Sequence, residues 1–204
     1  MFYKISDGHP FAHDPFKAIV SPRPIGWIST VSKDGQANLA PYSFFNAVAG
    51  NPPVVMFAPS GTKPGGATKD SLRNIRETGG FCVNVASYAL RDAMNDSSAP
   101  FGDDVDEFGA TGLTALPCEM IDAPRVGAAP ASLECTLFKE VDLPGNNRMI
   151  IGEVVGVHID EGCVRDGRFD VTSFGPLTRL GYHDYAVTWE VFEMPRPTTD
   201  PAKK

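Results

Sequence analysis

The stretch Arg23–Phe45, RPIGWISTVSKDGQANLAPYSFF, decides the fold. From Ile25 to Ser32, β-branched and aromatic residues (Ile25, Trp27, Ile28, Thr30, Val31) favour a pleated, mostly buried strand. Asp34-Gly35 supplies a tight hairpin turn, and a second strand runs from Gln36 to Ala40. Pro41 has no N–H for a ladder, so it belongs at a strand end or bulge. Beyond it, NLAPYSFFNAV reads as an irregular ledge of backbone amides, hydroxyls and aromatic rings, a surface suited to a flat ligand with polar edges.

Working outward, Val54–Ala58, Phe81–Ala86, Ser132–Val141, Met149–Ile159 and Ala186–Met194 have strand composition, while Ser71–Thr78 and Tyr88–Asn95 read as short helices. The elements predict a mainly β chain, a closed antiparallel barrel with a few short peripheral helices. One domain over residues 1–195 and a flexible tail over 196–204 are expected, and the acidic DDVDEFGATGLT at 103–114 reads as a mobile surface excursion near the site mouth.

Composition bounds the function. The 204 residues are 42% hydrophobic and 21% charged, with 20 Gly and 18 Pro, the balance of a globular, turn-rich domain. There is no secretory leader pattern and no apolar run long enough to span a membrane, so a cytoplasmic location with no membrane partner is expected. A net charge of −7 argues against nucleic acid. Positions 20–80 run against that balance: Arg23, Lys33, Lys63, Lys69, Arg73 and Arg76 face only Asp34, Asp70 and Glu77, which makes this the region to hold an anion.

The same region holds a Gly/Pro-rich loop, SGTKPGGA, that leads into Thr68-Lys69-Asp70-Ser71 and a short amphipathic helix with Leu72 and Ile75 on one face. Free amides at residues 69–71, the Ser71 hydroxyl and the Lys69 ammonium together suit a phosphate; Thr68 or Asp70 also serves as an ordinary helix cap. No Gly-x-Gly-x-x-Gly and no phosphate-binding loop of the nucleotide-triphosphate type is present. Cys82, Cys118, Cys135 and Cys163 lack metal-site spacing and read as free thiols. Pro10 breaks the helix that His9, His13 and Asp14 would need to share a metal, and His158 and His183 read as packed or hydrogen-bonded side chains. No metal is expected.

Four blocks in order, RPIGWIST, NLAPYSFFNAV, PPVVMFAPS and KDSLRNI, with RLGYHDYAVTWEVFEMPRP near the end, resemble the flavin reductase-like family of FMN-binding split barrels, to which flavoredoxin-type proteins belong. The resemblance implies a homodimeric antiparallel barrel with FMN near the subunit interface. It implies that Thr30 and Ala40, Pro41, Tyr42 and Ser43 line the flavin ring, that Phe45 and Asn46 support the ring or ribityl chain, and that Ser60, Lys69, Asp70 and Ser71 serve ribityl and phosphate. No catalytic acid or base is implied, since the isoalloxazine carries the electron chemistry. The implied activity is hydride transfer from NADH or NADPH to FMN and on to an unknown electron acceptor. The alternatives are a flavoredoxin-like carrier paired with an iron–sulfur protein, or a protein that only holds a flavin. Tyr42 stands where the family often has phenylalanine, and Tyr182 stands where a second glycine often follows Arg-Leu, which places bulk at the access route.

Overall fold

A computed structural model describes residues 1–62, 66, 68–102 and 105–197; Lys63 of the cation cluster, Asp103 and Asp104 of the acidic stretch, and residues 198–204 of the expected tail lie outside the described residues. The strands are β1 (Arg23–Pro24), β2 (Gly26–Val31), β3 (Ala37–Tyr42), β4 (Phe45–Gly50), β5 (Pro53–Phe57), β6 (Gly80–Val85), β7 (Ala115–Leu116), β8 (Arg125–Val126), β9 (Ala131–Leu143), β10 (Asn147–Ile159), β11 (Val164–Arg165), β12 (Arg168–Phe169), β13 (Leu177–Arg179) and β14 (Tyr185–Val187). The α-helices are α1 (Phe16–Ile19), α2 (Asp70–Thr78), α3 (Arg91–Asp96) and α4 (Glu107–Ala110).

Seven strands form one antiparallel sheet in the order β3-β2-β6-β9-β10-β5-β4. The decisive hairpin is β2 on β3, with Trp27 opposite Pro41 and Val31 opposite Ala37. Its turn rests on Ser32, whose hydroxyl accepts the amides of Asp34 and Gln36, while Gly35 alone of the turn takes a left-handed φ of 85°. Pro41 falls inside β3 rather than after it. That strand is an edge of the sheet, so the missing N–H leaves no ladder bond unmade.

The architecture is a split β-barrel. The expected closed barrel is not reached, because β3 and β4 are the two edges and do not pair with each other. The chain crosses from one edge to the other through Ser43 and Phe44 alone, so most of the expected ledge is strand, held by ladders to β2 on one side and β5 on the other. Residue alternation on β2 and β3 divides two cores. Ile28 and Tyr42 join Val55, Phe57, Leu72, Ile75, Phe81, Val83, Cys135 and Ile150 inside the barrel, while Trp27 and Leu39 face Met94 of α3, Phe108 of α4 and Leu177 of β13.

Buried polar groups stitch the layers together. Trp27 Nε1 donates to Ser97 Oγ at 2.9 Å. Asn84 Nδ2 donates to the Trp27 carbonyl and Ser29 Oγ, each at 3.0 Å, and its Oδ1 accepts Val126 N at 2.8 Å and Ser132 Oγ at 3.0 Å, so all four hydrogen-bonding positions of this buried amide are filled.

Two expectations are corrected. The strand expected over Ala186–Met194 ends at Val187, and Trp189, Val191, Phe192 and Met194 are exposed. Their apolar side chains gave a strand-like pattern, but no ladder partner extends beyond Val187. The 103–114 stretch holds α4, which Asp106 caps by accepting the amides of Phe108 and Gly109, and which buries Phe108 to 2% exposure. Among the described residues, no helix is long and apolar enough to cross a membrane.

Candidate functional site

The N-terminus of α2 is built differently from the sequence expectation. Neither Thr68 nor Asp70 caps it; the N-cap is Lys69, in extended backbone, with no side-chain cap bond. The first turn, from residue 70, stands at the positive end of a nine-residue helix. Asp70, in the first turn, pairs with Arg73 at 2.7 Å. Gly79, at φ 75°, ends the helix with a left-handed cap.

Ser71 sits beneath that terminus, 1% exposed. Its Oγ accepts Tyr42 O–H at 3.0 Å and Asn38 Nδ2 at 3.1 Å. With both lone pairs filled, the hydroxyl has its own hydrogen left to give, which makes it a donor. Burial pushes the Tyr42 phenol up to about 12, so it keeps the proton it donates. Lys69 Nζ lies 5.6 Å from the centre of the Tyr42 ring, and burial lowers the pKa of its ammonium. The Tyr42 ring itself packs on Phe57, centroids 5.0 Å apart, so it belongs to the barrel core rather than to an open ring-stacking surface.

The residues expected to form one site fall around two adjoining cavities. The first, about 580 Å³, is lined by Asn38, Ala40, Pro41, Tyr42, Lys69, Asp70 and Ser71, with Ser97–Gly102 and Glu107 opposite. The second, about 870 Å³, takes Ser43, Phe45, Asn46 and Ser60, with Arg23, Pro24 and Met149. Tyr42 and Ser43, adjacent in the chain, face different cavities, so the β3–β4 crossover is the wall between them. Both volumes lie in the roughly 300–1,000 Å³ range of cofactor clefts. Thr30 joins neither: it is fully buried and accepts Asn74 Nδ2 at 3.0 Å. Gly26 fixes Phe45, since a Cβ added there would stand 2.7 Å from the ring.

The cation cluster also divides. Arg23 is buried, donating to the carbonyls of Lys17, Val20 and Leu180, and burial and then Arg179 lower its pKa. Arg76 is taken up by Glu140 at 2.5 and 2.9 Å. Among the described residues, Lys69 is the cluster member on the first cavity. Tyr182 lines neither cavity and packs on His13, ring centroids 5.9 Å apart.

Sequence reasoning missed Glu107. It is 8% exposed, accepts Leu39 N at 3.3 Å, and its carboxyl is raised by burial and by Asp70 and Asp106. The available signal was Asp106-Glu107, a capping pattern that starts a helix inside an acidic run.

The first cavity thus presents N–H and O–H donors and an ammonium at one end, against a backbone ledge. Such a donor set is chemically suited to an anion. The chain is similar along 95% of its length to the solved nitrilotriacetate monooxygenase component B of Bacillus cereus, at 31% identity, 98% of that chain covered and a TM-score of 0.85. It is similar to 2-nitrobenzoate 2-nitroreductase of Pseudomonas fluorescens, at 29% identity over 98% of each chain with a TM-score of 0.84. It is similar also to the flavoredoxin of Desulfovibrio vulgaris, at 25% identity, 90% of this chain, 94% of that one and a TM-score of 0.74. Residues 20–186 match the model of the flavin reductase like domain, and the chain belongs to that family.

Proposed function

We propose that this protein is an FMN-dependent oxidoreductase that takes a hydride from NADH or NADPH and delivers electrons to a second acceptor. Flavin-linked oxidoreduction is what membership of the family carries; FMN, the donor and the residue roles are our reading. The observation that carries it is the cavity at the N-terminus of α2, where the positive end of the helix, Ser71 O–H and Lys69 suit a phosphate beside the Ala40–Tyr42 ledge. Riboflavin has no phosphate for this donor set, and in FAD the same phosphate is esterified within a diphosphate.

FMN, when bound, supplies the electron chemistry, with N5 as the hydride acceptor. Lys69, Ser71 and the amides of α2 would hold its phosphate. Ala40, Pro41, Tyr42 and Ser43 would offer backbone and hydroxyl groups to the ring edge, with Phe45, Asn46 and Ser60 on the second cavity supporting the ring and ribityl chain. Thr30 acts from behind, accepting Asn74 Nδ2 and so anchoring α2 on β2. Glu107 lines the first cavity together with Lys69, and burial raises the pKa of its carboxyl. One domain over residues 1–195, working in the cytoplasm, completes the proposal.

Assembly as a homodimer is part of it. Phe138, Val155, Val157 and Ile159 expose apolar side chains on the β9–β10 hairpin, and Trp189, Val191, Phe192 and Met194 do so along the extended chain after β14. A two-fold contact is the commonest way to cover such faces.

The similarity to a flavoredoxin favours a second reading, an electron carrier paired with an iron–sulfur protein. Anaerobic mixing separates the two. Rapid loss of the yellow colour with NADH or NADPH supports the reductase, loss only with reduced ferredoxin supports the carrier, and no loss with any donor leaves a flavin-holding protein.

A further inference from the structure

On the far side of β9, away from both cavities, three residues from three elements converge. Cys118 comes from the β7–β8 connection, Glu134 from β9 and His158 from β10; their ligand atoms all lie within 4.8 Å of one another. Glu134 is 1% exposed, and its carboxylate accepts the amides of Glu119 at 2.8 Å and Met120 at 2.6 Å and meets His158 Nε2 at 2.5 Å. Gly156, opposite Glu134 in the ladder, leaves room for that carboxylate: a Cβ at 156 would stand 3.3 Å from Glu134 Cδ.

A hydrogen-bonded clamp explains the two amides and the imidazole. It does not explain why a half-buried cysteine brings its sulfur to the same point. Thiolate, imidazole and carboxylate are a donor set for a borderline-soft divalent ion. We propose that Cys118, Glu134 and His158 bind one zinc-class cation. A cation at 2.0–2.3 Å from each donor needs the donors about 3.5 Å apart, so the Glu134–His158 contact opens by about 1 Å as the ion replaces the hydrogen between them. A carboxylate has about four lone-pair sites, so the amide bonds that aim it are kept. Cys118 also lines a cavity of about 370 Å³ with Gly79, Gly80 and residues 119–123, which gives a cation a route to its sulfur. None of the residues lining that cavity lines the two flavin-site cavities, so the proposal does not depend on the flavin reading. It revises the sequence expectation of no metal, because Cys118 and His158 stand 40 positions apart and only the fold joins them.

The test uses the full chain, stripped with a chelator and titrated with zinc in competition with a chromophoric chelator. The expected result is one zinc per chain. Cys118→Ser and His158→Ala should each weaken it by more than about 100-fold, beyond the 10–100-fold cost of losing an outer-shell partner, while Cys163→Ser leaves it unchanged. X-ray absorption at the zinc edge of the loaded wild type should show one sulfur among nitrogen and oxygen ligands, a readout that stands even if a variant fails to fold. Absence of stoichiometric zinc in the wild type, retention of affinity in Cys118→Ser, or a sulfur-free zinc shell each overturns the proposal.

Discussion

Replacing Ser71 with alanine should destabilise the fold before it touches ligand selectivity. The hydroxyl is the acceptor for two buried donors, Tyr42 O–H at 3.0 Å and Asn38 Nδ2 at 3.1 Å. Alanine fits the space but strands both. Each buried donor left without a partner costs about 1–3 kcal/mol, and some relaxation is shared, so a total of about 2–4 kcal/mol is expected. At 2–4 °C per kcal/mol for a domain of this size, the unfolding midpoint should fall by about 5–15 °C. Calorimetry or thermal denaturation followed by circular dichroism reads this directly. Tyr42→Phe removes one of the two stranded donors, so the double variant Tyr42→Phe/Ser71→Ala should cost less than the two single changes added together. An unchanged midpoint in Ser71→Ala, or strict additivity in the double variant, would show that the three-residue network does not bear on stability.

Two further outcomes follow from the walls of the site. Glu107 has a raised folded-state pKa, so the folded chain binds more protons than the unfolded one between the ordinary carboxylate value and the raised one, and stability falls as pH rises through that window. Glu107→Gln should therefore raise the midpoint above the window and leave it unchanged at acid pH, and equal shifts at both ends would contradict this. Gly26→Ala sets a methyl group 2.7 Å from the Phe45 ring, which should cost about 1–3 kcal/mol and weaken binding of FMN and riboflavin alike, measured by flavin fluorescence quenching. A stable variant with native flavin affinity would show that Phe45 moves aside freely.

The hairpin at Arg23–Tyr42 was legible because alternation and an Asp-Gly turn are local signals. The strands of β9 and β10 were legible too, though each runs further than its apolar core. The crossover at Ser43 and Phe44 was not, because whether a proline interrupts a strand depends on which side of that strand carries a neighbour, and position in the sheet is a property of the whole chain. Lys69, Asp70 and Ser71 were found together by motif and resemblance, yet the network that turns Ser71 into a donor arises from Asn38 and Tyr42, some 30 residues earlier. Thr30 was placed at the flavin ring by the resemblance alone; its side chain is fully buried and bonded to Asn74, because both sides of its strand are covered. Glu107 was hidden for the opposite reason: a carboxylate in an acidic run looks solvated until a neighbouring Phe108 pulls its helix inward.

The phosphate assignment at Lys69 is the centre of the account, and one titration tests it most directly. FMN and riboflavin are each titrated into wild type and Lys69→Ala, with Leu72→Ala as a core control. Wild type should bind FMN more tightly than riboflavin, Lys69→Ala should lose roughly 1–3 kcal/mol of FMN affinity while riboflavin hardly changes, and Leu72→Ala, though less stable, should keep the wild-type preference once folded. Equal affinities for the two flavins in wild type, or equal losses for both in Lys69→Ala, would contradict it.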